Sequence, residues 1–390
     1  METFKKFVEK HQARECLGFG VARVDLGKRG NVLCATYPVL NWKENFGSYA
    51  VFDACKKSAT LVSQSQDEAI YSLNLACINE ALEIFAPFLP EALRDPESHR
   101  NIQVLLELKK ILSLPKQNQV DYRLVFLYAD APCKSVESAY MKLLALSLGK
   151  APLRSLHLDG IFGLLSNVAW SGNKPYELED LRQNEIAWKL SGTYPHIDFV
   201  DKFPRYLMQV IPQYDNIRIL DSAKTRFGAY LGKGGYTQMP GASYVNFNAG
   251  VEGACMNEGR ISSSVIIGEG SDVGGGASIL GVLSGGNSEP ISIGRNCLLG
   301  VNSSTGISLG DGCIVDGGIA VLSGTVFEIQ EQEAQKIQAL NPSFLIHENG
   351  LYKGRELSGL HGLHFRQDSK SGKMVAFKSN QEITLNKDLH

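Results

Sequence analysis

This 390-residue sequence has no long apolar run, no excess of basic charge and no Cys-x-x-Cys pair. The first absence argues against a membrane-spanning helix, which needs about 18 or more consecutive apolar residues. The opening METFKKFVEKHQARE lacks the basic-then-apolar pattern of a secretory leader, so a cytoplasmic protein is expected. A net charge of −2 provides no general basic field, so neither nucleic acid nor a membrane surface is an expected partner. The eight cysteines are scattered, which predicts reduced, mostly buried thiols rather than disulfides or a zinc site. Apolar content of 44% and charged content of 21% are ordinary for a globular chain. The length exceeds one ordinary core and predicts two or three domains.

Glycine is what the chain has in excess, and it is concentrated: 24 of 39 glycines lie between Gly228 and Gly324. Residues 1–226, before this stretch, read as a mixed α/β domain. CLGFGVARVD and NVLCATYPVL form a hairpin pattern around LGKRGN. SQDEAIYSLNLACINEALEIFAPFLP predicts one long helix ended by proline. DYRLVFLYADAP predicts a strand, and SVESAYMKLLALSLGK a helix opening on Ser135 and stopping near Gly149. No catalytic motif is visible there. Beyond the glycine-rich stretch, residues 327–390 predict a helix in VFEIQEQEAQKIQAL, with Ile329, Ile337 and Leu340 on one face, and a small β-rich tail.

Within residues 227–326 aliphatic side chains recur every sixth position. Met239, Val245 and Val251 begin three hexads, and Ile261, Ile267, Val273 and Ile279 four more. Ile293 and Leu299 begin two, and Leu309, Val315 and Val321 the last three. Four residues after most starts stands a small residue, as at Ala249, Cys255, Ser271, Ala277, Cys297 and Cys313. Glycine often follows the start directly, as at Gly268, Gly274, Gly294, Gly300 and Gly310. Helices repeat near 3.6 residues and strands at 2, so neither fits. A period of six is the signature of a parallel β-helix, with one short strand and one corner per hexad. Glycine is expected to supply the corner conformations. In hexapeptide-repeat proteins, which this pattern resembles, three hexads make a left-handed coil.

Three breaks interrupt the register. They fall in GACMNEGR between Val251 and Ile261, around LSGGNSEP between Ile279 and Ile293, and around SSTGIS between Leu299 and Leu309. A solenoid tolerates insertions at its corners, and such loops often form binding faces, so the site is expected there. Histidine is absent from residues 197–346. That excludes a histidine base on the solenoid itself and a three-histidine zinc centre. In the first break Glu258 and Arg260 flank Gly259. The glutamate can serve as base or nucleophile and the arginine can hold a carboxylate, or the two can form a solvated surface ion pair. Glu269, Asp272 and Asp311 read as solvated corner residues.

NFNAGVEGACMNEGRISSSVIIGEGSDVGGGASILGVLSGGNSEPISIGRNCLLGVNSSTGISLGDGCIVDGG closely resembles the tetrahydrodipicolinate N-succinyltransferase family, in its longer bacterial form. The resemblance is strong over residues 236–326, continues through YKGRELSGLHGLHFRQDS and fades in the first 200. It implies a homotrimer with active sites between neighbouring β-helices. It also implies transfer of succinyl from succinyl-CoA to the open amino form of tetrahydrodipicolinate, a step towards diaminopimelate and lysine. Glu258 matches the family's catalytic glutamate, a general base or the acceptor in an acyl anhydride. Arg260, Gly275, Ser278, Val301, Asp316, Gly317, Gly324, Lys353 and Arg366, Gln367, Asp368 and Ser369 match its succinyl-CoA positions. Val301 replaces the usual alanine and Asp316 a common glutamate. No tightly bound cofactor is expected; the Mg²⁺ of some members has no derivable ligands here, so no metal site is carried over.

The chemistry fits the residues. A partly desolvated carboxylate with a raised pKa can take the proton of the attacking amine. A glycine corner such as Gly281 can offer a backbone N–H to the oxyanion. Lys353, Arg355 and Arg366 are candidates for the CoA phosphates. Two other readings stay open: an acyltransferase with another donor or amine, and a non-catalytic β-helix used for assembly.

Overall fold

The computed structural model describes residues 2–11, 14–115, 119–282 and 289–385. They fall into two compact units: 1–145 with 156–204, and 146–155 with 205–390.

The first unit is built on an antiparallel sheet in the order Val32–Thr36, Gly18–Leu26, Val120–Leu127, Glu68–Ser72, Thr60–Gln64. The expected hairpin is present, with Arg23 opposite Thr36. Phe19, Val21, Leu124 and Phe126 pack with the apolar stripes of helices Phe46–Cys55, Leu75–Ile84 and Arg100–Leu112. The expected long helix is divided. Glu68–Ser72 is a strand paired with Val120–Leu127, and the helix begins only after Asn74, whose side chain accepts from Cys77 N. Burial between two strands outweighs the helical reading of EAIYS. The helix Val136–Ser147 forms as expected, with Ser135 Oγ accepting from Ser138 N at 3.1 Å and Gly149 beyond its end at a φ of 65°.

The second unit is a parallel β-solenoid with a small β-rich C-terminal region. Strands two or three residues long stack in three sheets, and each coil contributes one strand to each. One sheet stacks Ile219, Gln238, Asn257, Val273, Leu299, Val315 and Phe365 in register. The second stacks Val245, Ile261, Ile279, Thr305 and Val321. The third stacks Leu231, Val251, Ile267 and Ile293, with Leu309 bridged to Ile293. From Leu231 to Val321 these inward side chains are buried. Ten of the expected hexad starts and Leu309 occupy such positions. Met239 does not: it is half-buried, and its neighbour Gln238 points inward.

Two register breaks are not insertions. Asn257 stands six residues after Val251 and points inward, and Ile261 follows only four positions later. Thr305 does the same six residues after Leu299, and four before Leu309. Each break is a hexad with a polar inward residue followed by a corner shortened by two. The third break contains residues 283–288, which lie outside the described residues.

The glycines play two roles, and one of them is the corner role expected. Those directly after a start do not take left-handed backbone; they permit close stacking. A Cβ on Gly300 would lie 2.5 Å from Gly317 N. Left-handed backbone comes two residues later, at Gly276, Asn302 and Gly318 on one corner.

The C-terminal region completes the stack. Leu363–Gln367 adds the last parallel rung beside Ile314–Val315, then turns back antiparallel as Met374–Lys378. Phe365 and Phe327, both fully buried with ring centroids 5.1 Å apart, close the apolar interior. The helix Glu331–Leu340 is shorter than expected. It buries Ala334 and Ile337, Leu340 stays exposed, and Ile329 is buried ahead of its first turn.

Candidate active site

The corner that follows the first solenoid sheet carries most of the expected site. Successive coils place there Glu258-Gly259-Arg260, then Gly274 to Ser278, then Gly300 to Ser304, then Asp316 to Ala320. The tail rung adds Arg366. Hydrogen bonds tie the steps together: Glu258 N to Val273 O at 2.8 Å, Gly276 N to Glu258 O at 3.0 Å, Asn302 N to Gly275 O at 2.9 Å and Gly318 N to Val301 O at 2.8 Å. Four rung spacings from Glu258 to Arg366 make a column roughly 19 Å long.

At its head Glu258 is half-buried and Arg260 exposed. Neither forms an ion pair or a side-chain hydrogen bond with a described residue. The carboxylate lies against Gly275, where a Cβ would sit 3.4 Å from Glu258 Oε2. Gly259 is pinched, since a Cβ there would lie 2.4 Å from Ala277 O. Arg260 is directly opposite Ser278, with Ser304 and Ala320 on the same outer row. Ser278 Oγ is buried without a partner among the described residues. A hydroxyl left unpaired beside a free guanidinium and a free carboxylate is suited to receive a polar ligand group.

Asp272 is not the solvated corner residue expected. It lies mid-strand in Ser271–Val273, half-buried between Met256 and Leu298 on the outer face. Burial first, and the Glu258 charge second, push its carboxyl above the ordinary value. Strand alternation puts both carboxylates on that face as diagonal neighbours. The sequence signal was Asp272's place one residue before an inward valine, which marks an outward strand position.

At the foot of the column Val301 is 58% exposed and Gly317 open, so both leave space for a ligand. Asp316 is engaged within the chain: Oδ1 meets His364 Nε2 at 2.6 Å and Oδ2 accepts from Arg366 Nε at 2.6 Å. Burial raises its carboxyl, but these hydrogen bonds outweigh it and hold the pKa below the ordinary value. His364 belongs to the solenoid sheet, contrary to the expectation that no histidine does. The tail supplies that rung from outside the repeat, so the gap in histidine between residues 197 and 346 did not reveal it.

Other expected residues stand apart from the column. Gly324 and Lys353 are exposed at the next corner, where Gly354 N donates to Thr325 O at 2.7 Å. Gly281 is half-buried two residues after Ile279, beside the undescribed segment. Gln367 to Ser369 lead into the hairpin turn. There Asp368 Oδ1 accepts from Ser371 N at 2.7 Å and Lys370 N at 3.1 Å, which fixes the turn and lowers its pKa.

Among the described residues no group of three or more His, Cys, Asp or Glu side chains gathers as a metal site. No helix among them is long and apolar enough to cross a membrane.

Known proteins match the whole chain. Residues 2–163 fit the tetrahydrodipicolinate N-succinyltransferase N-terminal family, residues 165–205 its middle family, and residues 290–323 the hexapeptide repeat of succinyl-transferase. The match therefore runs through the N-terminal region, where the motifs alone suggested that the resemblance fades. A 2,3,4,5-tetrahydropyridine-2,6-dicarboxylate N-succinyltransferase of Helicobacter pylori is 62% identical over 100% of both chains. One from Campylobacter jejuni is 51% identical over 99% of this chain and 97% of its own. A crystal structure of a Campylobacter jejuni chain, titled as a 2,3,4,5-tetrahydropyridine-2-carboxylate N-succinyltransferase, superposes with a TM-score of 0.88. It is 49% identical and covers 98% of this chain and 97% of its own.

Proposed function

The chain belongs to the tetrahydrodipicolinate N-succinyltransferase family, and from that premise we propose how its residues divide the work of succinyl transfer. The reaction joins succinyl-CoA to the amine of open 2-amino-6-oxopimelate, giving the N-succinyl product and free CoA in diaminopimelate and lysine synthesis. Glu258 takes the proton of the amine as its nitrogen attacks the thioester carbonyl. A backbone N–H at a glycine corner receives the tetrahedral oxyanion; Gly281, the candidate from the sequence, stands on a different corner from Glu258 and would serve from a neighbouring copy. Collapse releases CoA thiolate and leaves the amide. Arg260, with Ser278 beside it, holds the succinyl carboxylate. The thioester arm runs down the column over Gly275, Val301 and Gly317 towards Arg366, and Lys353 meets the phosphates.

The observation that carries this reading is the pairing of a carboxylate and a guanidinium across Gly259, both without partners among the described residues, at the head of an open glycine-lined column. One chain presents that column on an outer corner, so a second copy is needed to enclose it. The family resemblance implies a homotrimer with each site shared by two chains, and we carry that assembly over as our reading, with the cytoplasm as its place.

Thiol release from succinyl-CoA, with and without the amino acid acceptor, tests the reaction. Acceptor-dependent release is expected, and none at all would overturn the assignment. Sedimentation at assay concentration tests the assembly, where an active monomer would defeat the shared-site arrangement.

A further inference from the structure

We infer that Asn257 is the positioning residue for the Glu258–Arg260 pair, its side chain closing the shortened corner that carries them. The inference rests on the reading of Glu258 as the base. Asn257 is fully buried in a column that is aliphatic below it, at Val273, Leu299 and Val315. A polar side chain there needs a reason. Asn257 Oδ1 accepts from Gly259 N at 3.0 Å, and its Nδ2 donates to Tyr236 Oη at 3.2 Å. Tyr236 Oη in turn donates to Gln238 Oε1 at 3.3 Å, so the amide is held from the coil above.

Gly259 N is the one donor in Glu258-Gly259-Arg260 that has no rung partner. Its neighbours donate to Val273 O and Ala277 O. With two residues missing from the corner, the chain must turn between Glu258 and Arg260, and the side-chain bond fixes that turn. The other shortened corner repeats the device. Thr305 Oγ1 donates to Ile307 O at 2.9 Å and accepts from Ile307 N at 3.4 Å, again between residues i and i+2. That corner carries no proposed catalytic group, so it is an internal control.

The test uses purified full-length enzyme and three variants: Asn257→Val, Asn257→Thr and Thr305→Val. Threonine can reproduce the bond that Thr305 makes, and valine has the same shape without the hydroxyl. Asn257→Val is expected to lower kcat roughly 10²-fold, the effect of a displacement near 1 Å. The Kd for free CoA should stay within about twofold. Asn257→Thr should recover most of the turnover, and Thr305→Val should keep it. Equal turnover in the valine and threonine variants of Asn257 would overturn the inference. So would equal losses in Asn257→Val and Thr305→Val, which would mark a general effect on stability.

If Asn257→Val does not fold, Tyr236→Phe decides: kcat should fall roughly fivefold, the worth of one hydrogen bond. An unchanged kcat would count against the inference. If the wild-type enzyme releases no CoA, the functional reading fails by itself. Hydrogen exchange at the Gly259 amide then decides the structural claim, with protection expected in wild type and Asn257→Thr. Equal exchange in Asn257→Val would overturn it.

Discussion

Asp316 and Arg366 stand fifty residues apart in the chain and meet through a 2.6 Å hydrogen bond between Oδ2 and Nε. The bond fastens the tail rung to the last coil of the repeat. Because Asp316 has a lowered pKa in the folded protein, its contribution to stability is present above the ordinary carboxylate range. That contribution is lost as pH falls through the folded value. Wild type should therefore exceed Asp316→Asn in urea midpoint at pH 7, and the gap should close as pH drops below roughly 3.9. A gap independent of pH would show that the charge is not what fastens the rung.

Glu258→Gln should keep the fold and CoA affinity, because the exchange is nearly isosteric on an outer corner. Its kcat should fall by roughly 10²–10⁴. Glu252, exposed on a neighbouring corner, should tolerate the same change. Thiol release at saturating substrates measures both, and a collapse confined to Glu252→Gln would move the base there.

Arg260→Leu should weaken succinyl-CoA more than acetyl-CoA. Loss of one charge-assisted pair amounts to roughly 1.5–3 kcal/mol, or one to two decades in affinity. Parallel titrations with the two thioesters check this. Equal losses would mean that Arg260 does not read the succinyl carboxylate.

Arg154 makes a stability prediction independent of the reaction. Its guanidinium donates to Ser264 O at 2.6 Å, Ser292 Oγ at 2.9 Å and Ile291 O at 2.5 Å, and its backbone N donates to Asn248 Oδ1 at 2.8 Å. One side chain thus spans neighbouring coils. Arg154→Met should destabilise by about 1–3 kcal/mol through the acceptors left unpaired. Arg154→Lys should recover less than half, since an ammonium lacks the planar fork. Denaturant unfolding of the three forms would decide, and wild-type stability in Arg154→Met would show that water replaces the clamp.

The solenoid was legible because its interior admits little besides aliphatic side chains, so Val273 or Ile279 announces a coil wherever it recurs. The same rule hid Asn257 and Thr305. A search for aliphatic starts passes over a polar inward residue and reports a ten-residue gap, as if residues were inserted, where the chain has been shortened. Glu258 and Arg260 were found through that break even though its cause was misread. Asp272 was missed because an aspartate near glycines suggests a turn, and only strand pairing shows that it faces outward beside Glu258. The strand Glu68–Ser72 was missed because EAIYS continues a helical pattern, and pairing with distant Val120–Leu127 is not written in adjacent residues. His364 escaped for a related reason, since no period links the tail to the stack.

The tail rung has one more effect. A bare final coil would offer a row of unpaired N–H and C=O groups, ready to receive the first coil of another molecule and grow a fibre end to end. Here Leu363–Gln367 takes that row and Met374–Lys378 reverses direction beside it. The sheet then runs out through Val326–Glu328 to the three-residue strand Leu351–Lys353. The same segment that brings Arg366 to the proposed substrate column thus ends the array in a short strand carrying a lysine, a poor template for addition. A truncation before Leu363 would take away a candidate ligand contact and a barrier to self-assembly together.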